Sequence, residues 1–139
     1  MPSPLVLLAD DEPHIPHVLA AKLNAAGVQT LTASDGEEAL RLARQHAPSL
    51  VITDLQMPFM SGAELAAALD ADPRTASIPV ILLTGRGYIL TEAERTSTNS
   101  VDILSKPFSA RAIVDRVLAL LAQKSDELPP KPAPDTRAA

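Results

Sequence analysis

The sequence predicts an α/β fold, a five-stranded parallel sheet covered by helices on both faces. Two observations carry this. Five short apolar runs alternate along the chain with stretches whose apolar residues recur at helical spacing. The runs are apolar at consecutive positions rather than alternate ones, so each strand is buried on both faces, as in a parallel sheet with crossover helices. Five such units make a flavodoxin-like, doubly wound sheet with strand order 2-1-3-4-5 and five helices.

Residues 5–9 form a continuous apolar run that stops abruptly at Asp10, Asp11 and Glu12. Ile15, Val18, Leu19 and Leu23 follow at helical spacing, and Gly27 ends that helix. Residues 28–33 read as a weaker second strand. Ser34 and Glu37 have the spacing of a capping box, opening a helix with Ala39, Leu40 and Ala43 on one face. Pro48 breaks the chain before the third strand, residues 50–53, which ends at Asp54. Ser61 and Glu64 form a second capping box, for a helix with Leu65 and Leu69 on the same side. Residues 78–83, rich in branched side chains, are the fourth strand and end at Thr84.

Between the last two strands, Thr91 to Glu94 cap a short fourth helix, followed by poor helix formers at 96–100. Residues 101–104 are the fifth strand, ending at Ser105, Lys106 and Pro107. Ser109 caps the fifth helix, where Ile113, Val117 and Leu121 lie four apart, flanked by Val114 and Leu118. From Lys124 on, four prolines and the lack of an apolar face predict a flexible tail. Residues 1–123 are therefore the expected folded domain and 124–139 the tail.

Composition removes several function classes. With 139 residues the chain supports one core. It has no cysteine, which excludes disulfides, thiolate metal sites and cysteine nucleophiles. A net charge of −5 without any Lys/Arg-rich run argues against direct nucleic-acid binding. The apolar runs are too short for a bilayer, and the Met-Pro-Ser-Pro start does not resemble a signal peptide, so a cytoplasmic location is expected. His14, His17 and His46 lack metal-ligand spacing and read as structural or surface residues. Arg41 and Arg44 read as a solvated helix face, and the lone Tyr88 needs no special role.

Open α/β sheets bind ligands outside the carboxyl ends of their strands. Here the first strand ends in Asp10 and Asp11, the third in Asp54, the fourth in Thr84 and the fifth in Lys106. Three carboxylates brought together repel unless a cation sits among them. Oxygen ligands without His or Cys suit a hard ion, Mg²⁺ first. Lys106 adds a positive charge and Thr84 a hydroxyl, a set able to hold a phosphoryl group with its metal.

The acidic pair Asp10-Asp11, the segment from Thr53-Asp54 through Met57-Pro58 to Gly62, Thr84-Gly85, and Lys106-Pro107-Phe108 occur in order at these strand ends. Across residues 5–123 the chain resembles the receiver domains of two-component response regulators, and in length their single-domain, chemotaxis-type members. The resemblance implies that Asp54 takes a phosphoryl group from a sensor histidine kinase or phosphotransfer protein. It implies that Asp11, Asp54 and the backbone carbonyl of Gln56 bind Mg²⁺ directly and Asp10 through water. Thr84 and Lys106 would bind phosphoryl oxygens, with Gly85 leaving the pocket open and Gly62 permitting a tight turn. The same resemblance implies a phosphoacceptor that promotes its own phosphorylation and dephosphorylation, not an enzyme acting on other substrates. An unknown target would dock on the face of the fourth helix, fifth strand and fifth helix. Oligomeric state stays open between monomer and homodimer.

Three departures from the family pattern stand out. Ile103 stands where an aromatic switch residue is usual, residues 99–101 are Asn-Ser-Val rather than Gly-Ala-Asp, and Arg86 and Gln56 are long polar groups near the acceptor. Two alternatives compete. A haloacid-dehalogenase-type phosphatase would need Asp-x-Asp on the first strand, whereas the pair here is adjacent. A pure interaction module would not need the complete acidic set.

Overall fold

The structure, a computed structural model, describes residues 4–12, 14–84, 102–105 and 109–127. The described elements run β1 (Leu5–Ala9), α1 (His14–Ala25), β2 (Gln29–Ala33), α2 (Gly36–His46), β3 (Leu50–Asp54), α3 (Gly62–Ala71), β4 (Val80–Thr84), β5 (Asp102–Ser105) and α4 (Ala110–Glu127). All four strand pairings are parallel, and the order is β2-β1-β3-β4-β5, as predicted. The fourth predicted helix falls in residues 85–101, outside the described residues, so α4 is the last of the five predicted helices.

Consecutive apolar residues in each strand serve two separate cores. Leu7, Ala9, Val51, Val80 and Leu82 face α2 and α3, where Ala39, Ala43, Leu65, Ala66 and Leu69 meet them. Val6, Leu8, Leu50, Ile52, Ile81 and Leu83 face α1 and α4, packing on Leu19, Leu23, Ile113, Val114, Val117 and Leu120. A sheet buried this way on both faces has no place for polar side chains except at strand ends. β3 and β4 are buried along their whole length, whereas β2, at the edge, is buried only at Ala33. This explains why β2 is the weakest strand signal in the sequence.

The helix ends follow local chemistry. α1 stops as expected at Gly27, which takes φ +89 while Val28 N–H donates to Leu23 O at 2.9 Å. The Ser61–Glu64 capping box is present at α3 in both directions. Beyond α3, the buried Thr75 hydroxyl donates to Leu69 O at 2.7 Å, a carbonyl at the helix end that also accepts from Asp72 N–H at 3.3 Å. Ser109 caps α4 by accepting from Ala112 N–H at 2.9 Å.

Strands β2, β3 and β5 differ from the sequence reading by one residue at an end, and three boundaries differ in ways that have a local cause. The cap of α2 is Asp35, not Ser34: Glu38 N–H donates to Asp35 Oδ1 at 2.8 Å, and Ser34 N–H donates to Glu38 Oε1 at 2.8 Å. The predicted Ser34–Glu37 box is thus shifted by one residue. β4 begins at Val80, because Ile78 N–H turns back to Thr75 O, and the strand takes in Thr84. α4 continues to Glu127, past the change in composition at Lys124.

Candidate functional site

Asp10 follows the last residue of β1, and Asp54 is the last residue of β3, the neighbouring central strand. Their adjacency in the sheet brings together carboxylates far apart in sequence. One carboxylate oxygen from each of Asp10, Asp11 and Asp54 lies within 4.8 Å of the others. Asp10 and Asp54 are buried, at 4% and 8% exposure, while Asp11 is open to solvent. Asp10 Oδ1 accepts from Glu12 N–H at 2.9 Å, a turn that directs the chain into α1, and Asp10 N–H donates to Ala33 O at 3.1 Å.

The loop after Asp54 is tied down at several points. Leu55 N–H donates to Leu83 O at 2.8 Å, extending the β3–β4 ladder beyond the strand. Gly62 N–H donates to Leu55 O at 2.8 Å, closing the loop at its base. A Cβ on Gly62 would run into the carbonyl oxygen of Asp54, so only glycine allows this approach. The buried Thr53 hydroxyl donates to Asp54 O at 2.9 Å. Thr84 is 2% exposed, and its hydroxyl donates to Leu104 O on β5 at 3.4 Å.

The cluster fits a hard divalent cation. It offers three carboxylates and no soft ligand, as Mg²⁺ requires. A spread of no more than 4.8 Å leaves room for one such ion among the three carboxylates, with inward movement of the side chains or one intervening water.

Of the sequence-derived site residues, Asp10, Asp11 and Asp54 are brought together, and Thr84 ends the strand paired with β3. Gln56 lies in the loop after Asp54 and is exposed. Ile103 sits on β5 and is 45% exposed. Lys106, Gly85 and Arg86 lie outside the described residues. Gly36 was not foreseen. A Cβ there would strike the backbone oxygen and side chain of Met60, so the start of α2 presses on the loop after Asp54. Nothing local in the sequence marks this contact, because its two ends belong to different elements.

Comparison with known proteins decides the family. The response regulator receiver domain model matches residues 6–118. The chain belongs to the response regulator receiver-domain family. This receiver domain is 36% identical over 126 residues to the DNA-binding dual master transcriptional regulator RpaA of Synechocystis, covering 91% of this chain and 52% of that protein. It is 34% identical over 116 residues to the phosphate regulon transcriptional regulatory protein PhoB of Pseudomonas aeruginosa, covering 84% of this chain and 51% of that protein. The chain thus spans about half the length of these curated relatives. Among solved structures it resembles the receiver domain of the Francisella response regulator 1452, with a TM-score of 0.77 and 31% identity over 88% of this chain and 99% of that one. The chemotaxis response regulator CheY4 of Vibrio cholerae also gives 0.77, at 27% identity, covering 85% and 98%. No helix among the described residues is long and apolar enough to cross a membrane.

Proposed function

We propose that the domain accepts a phosphoryl group on Asp54 from a phosphohistidine of a sensor histidine kinase or phosphotransfer protein. The observation carrying this is the gathering of Asp10, Asp11 and Asp54 at the carboxyl ends of the two central strands, β1 and β3. A carboxylate oxygen of Asp54 forms the new P–O bond as the P–N bond of the donor breaks. The imidazole leaves neutral, keeping the proton on its other ring nitrogen. Asp10, Asp11, Asp54 and the carbonyl of Gln56 hold Mg²⁺, which offsets charge on the phosphoryl oxygens.

The remaining residues orient and protect the group. The Thr84 hydroxyl and the Lys106 ammonium hold phosphoryl oxygens. Burial of Asp54 limits access of bulk water to the acyl phosphate. The long polar side chains of Gln56 and Arg86 slow attack of water on the acyl phosphate and so lengthen its lifetime. The phosphorylated domain, placed in the cytoplasm, alters a target-binding face that includes β5 and α4. The test is direct. Phosphoramidate and Mg²⁺ should place one acid-stable, base-labile phosphoryl group on the protein. Asp54→Asn should remove it, and excess chelator should nearly stop the reaction. Labelling of the Asn variant at the wild-type rate would overturn the assignment.

A further inference from the structure

The tip of the acceptor loop holds an aromatic residue in an unusual state. Phe59 is 80% exposed and takes φ +70, in the left-handed region that a bulky side chain enters at a cost. Met60 N–H donates to Pro58 O at 2.7 Å, so Phe59 is the centre of a three-residue turn of the rare, strained hand. An exposed aromatic alone would mean little. Here a costly backbone holds the ring outward, while the ring gains little burial in return. The loop is also fixed on either side, by the Gly62–Leu55 closure and by the press of Gly36 on Met60. The ring is therefore held in place by its backbone, which lowers the ordering cost for any partner that takes it up.

We propose that Phe59 is a pre-set aromatic anchor for the protein that delivers the phosphoryl group to Asp54. This rests on the acceptor function proposed above. Three residue steps carry the chain from Phe59 to Gly62, which packs on the backbone oxygen of Asp54, so Phe59 lies no more than roughly 11 Å from that contact. A stable protein contact covers about 800 Å² per partner, a disc of ~16 Å radius. A donor placing its phosphohistidine on Asp54 therefore covers Phe59. A target that reads the phosphorylated state on the β5 side of the sheet does not need to. Rigid aromatic side chains taken into a partner's pocket carry a large share of binding energy.

The test compares two donors on the full chain. Wild type, Phe59→Asn and Phe59→Tyr are labelled with phosphoramidate, which makes no protein contact. They are then labelled by the autophosphorylated histidine kinase that labels wild type fastest in a purified panel. Asn tolerates the left-handed backbone, so the turn survives the loss of the ring. Phosphoramidate labelling should be equal in all three proteins. With the kinase, kcat/KM of Phe59→Asn should fall on the order of 10-fold or more, through KM, while Phe59→Tyr stays within about threefold of wild type. Wild-type transfer to Phe59→Asn overturns the anchor. So does loss of labelling by both donors, which would make Phe59 a residue that only shapes the loop. Unchanged transfer with altered sedimentation would assign the ring to a contact between copies and equally overturn it. Wild type that fails to label with phosphoramidate would sink the acceptor function itself.

Discussion

Two glycines set how tightly the acceptor loop is held, and they differ in how visible they are in the sequence. Gly62 ends a turn after Asp54, and its need for a missing side chain is what the resemblance to receiver domains implies. Gly36 is legible only once α2 and the acceptor loop are packed together, because its neighbour is Met60. Gly36→Ala should cost about 1–3 kcal/mol in denaturant unfolding, the usual range for forcing a methyl into a filled space. Gly62→Ala should cost at least as much and also slow phosphoramidate labelling, since the atoms its Cβ would meet belong to the backbone of Asp54 and Leu55. A Gly62→Ala variant with wild-type labelling would show that the loop can yield without moving the acceptor. The acidic residues divide in a similar way. Asp10 already spends one oxygen on Glu12 N–H, whereas Asp11 is open. Asp11→Ala should therefore weaken Mg²⁺ binding more than Asp10→Ala in calorimetric titration. The reverse order would reassign the direct ligand.

Elements were legible wherever period and burial agreed. β1, β3 and β4 read as continuous apolar runs because both faces of each are covered. The start of α2 did not read correctly, for a local reason. Ser34, Asp35, Glu37 and Glu38 satisfy the three-residue spacing of a capping box twice, and nothing in the string chooses between the two. In the folded chain Asp35 accepts from Glu38 N–H, and Ser34 serves Glu38 instead. Asp35→Ala should thus lower stability by ~1 kcal/mol, and Ser34→Ala by clearly less. Equal losses would mean that both residues share the cap. At the end of α3, Asp72 receives Arg74 at 2.8 Å and Arg44 at 3.1 Å, linking that helix to α2. The hydrogen bonds from Arg74 hold the Asp72 carboxyl well below its ordinary value of 3.8. A carboxyl lowered on folding stabilises the fold above its unfolded value, and that contribution fades as the pH falls further. Both arginines are exposed, so the difference in melting temperature between wild type and Asp72→Asn should be small at neutral pH and shrink further in 1 M salt, at roughly a 3 Å screening length.

At the scale of the whole molecule, the question is how a change at Asp54 reaches a distant face. Thr84 ends β4 beside the acceptor strand, yet its hydroxyl donates to Leu104 O on β5. At 3.4 Å that bond is long for a hydroxyl donor, so giving it up costs at most about 1 kcal/mol. A phosphoryl oxygen on Asp54 offers a charged acceptor, roughly twice as strong. The hydroxyl should then turn away from β5 and release the Leu104 carbonyl. In many relatives an aromatic side chain on the fifth strand follows this motion. Ile103 occupies that place here, is branched at Cβ with few rotamers, and is already 45% exposed. The response should therefore travel through the backbone of β5 rather than through a swinging ring. Hydrogen exchange with beryllofluoride, standing in for the phosphoryl group on Asp54, should change protection at residues 102–105 as well as in the acceptor loop. Thr84→Ala should still label with phosphoramidate, more slowly, but leave exchange at 102–105 unaltered by beryllofluoride. If wild type also shows no change at 102–105, the Thr84–Leu104 bond is only a structural tie. If the alanine variant responds like wild type, the signal reaches β5 by a route that does not use this hydroxyl.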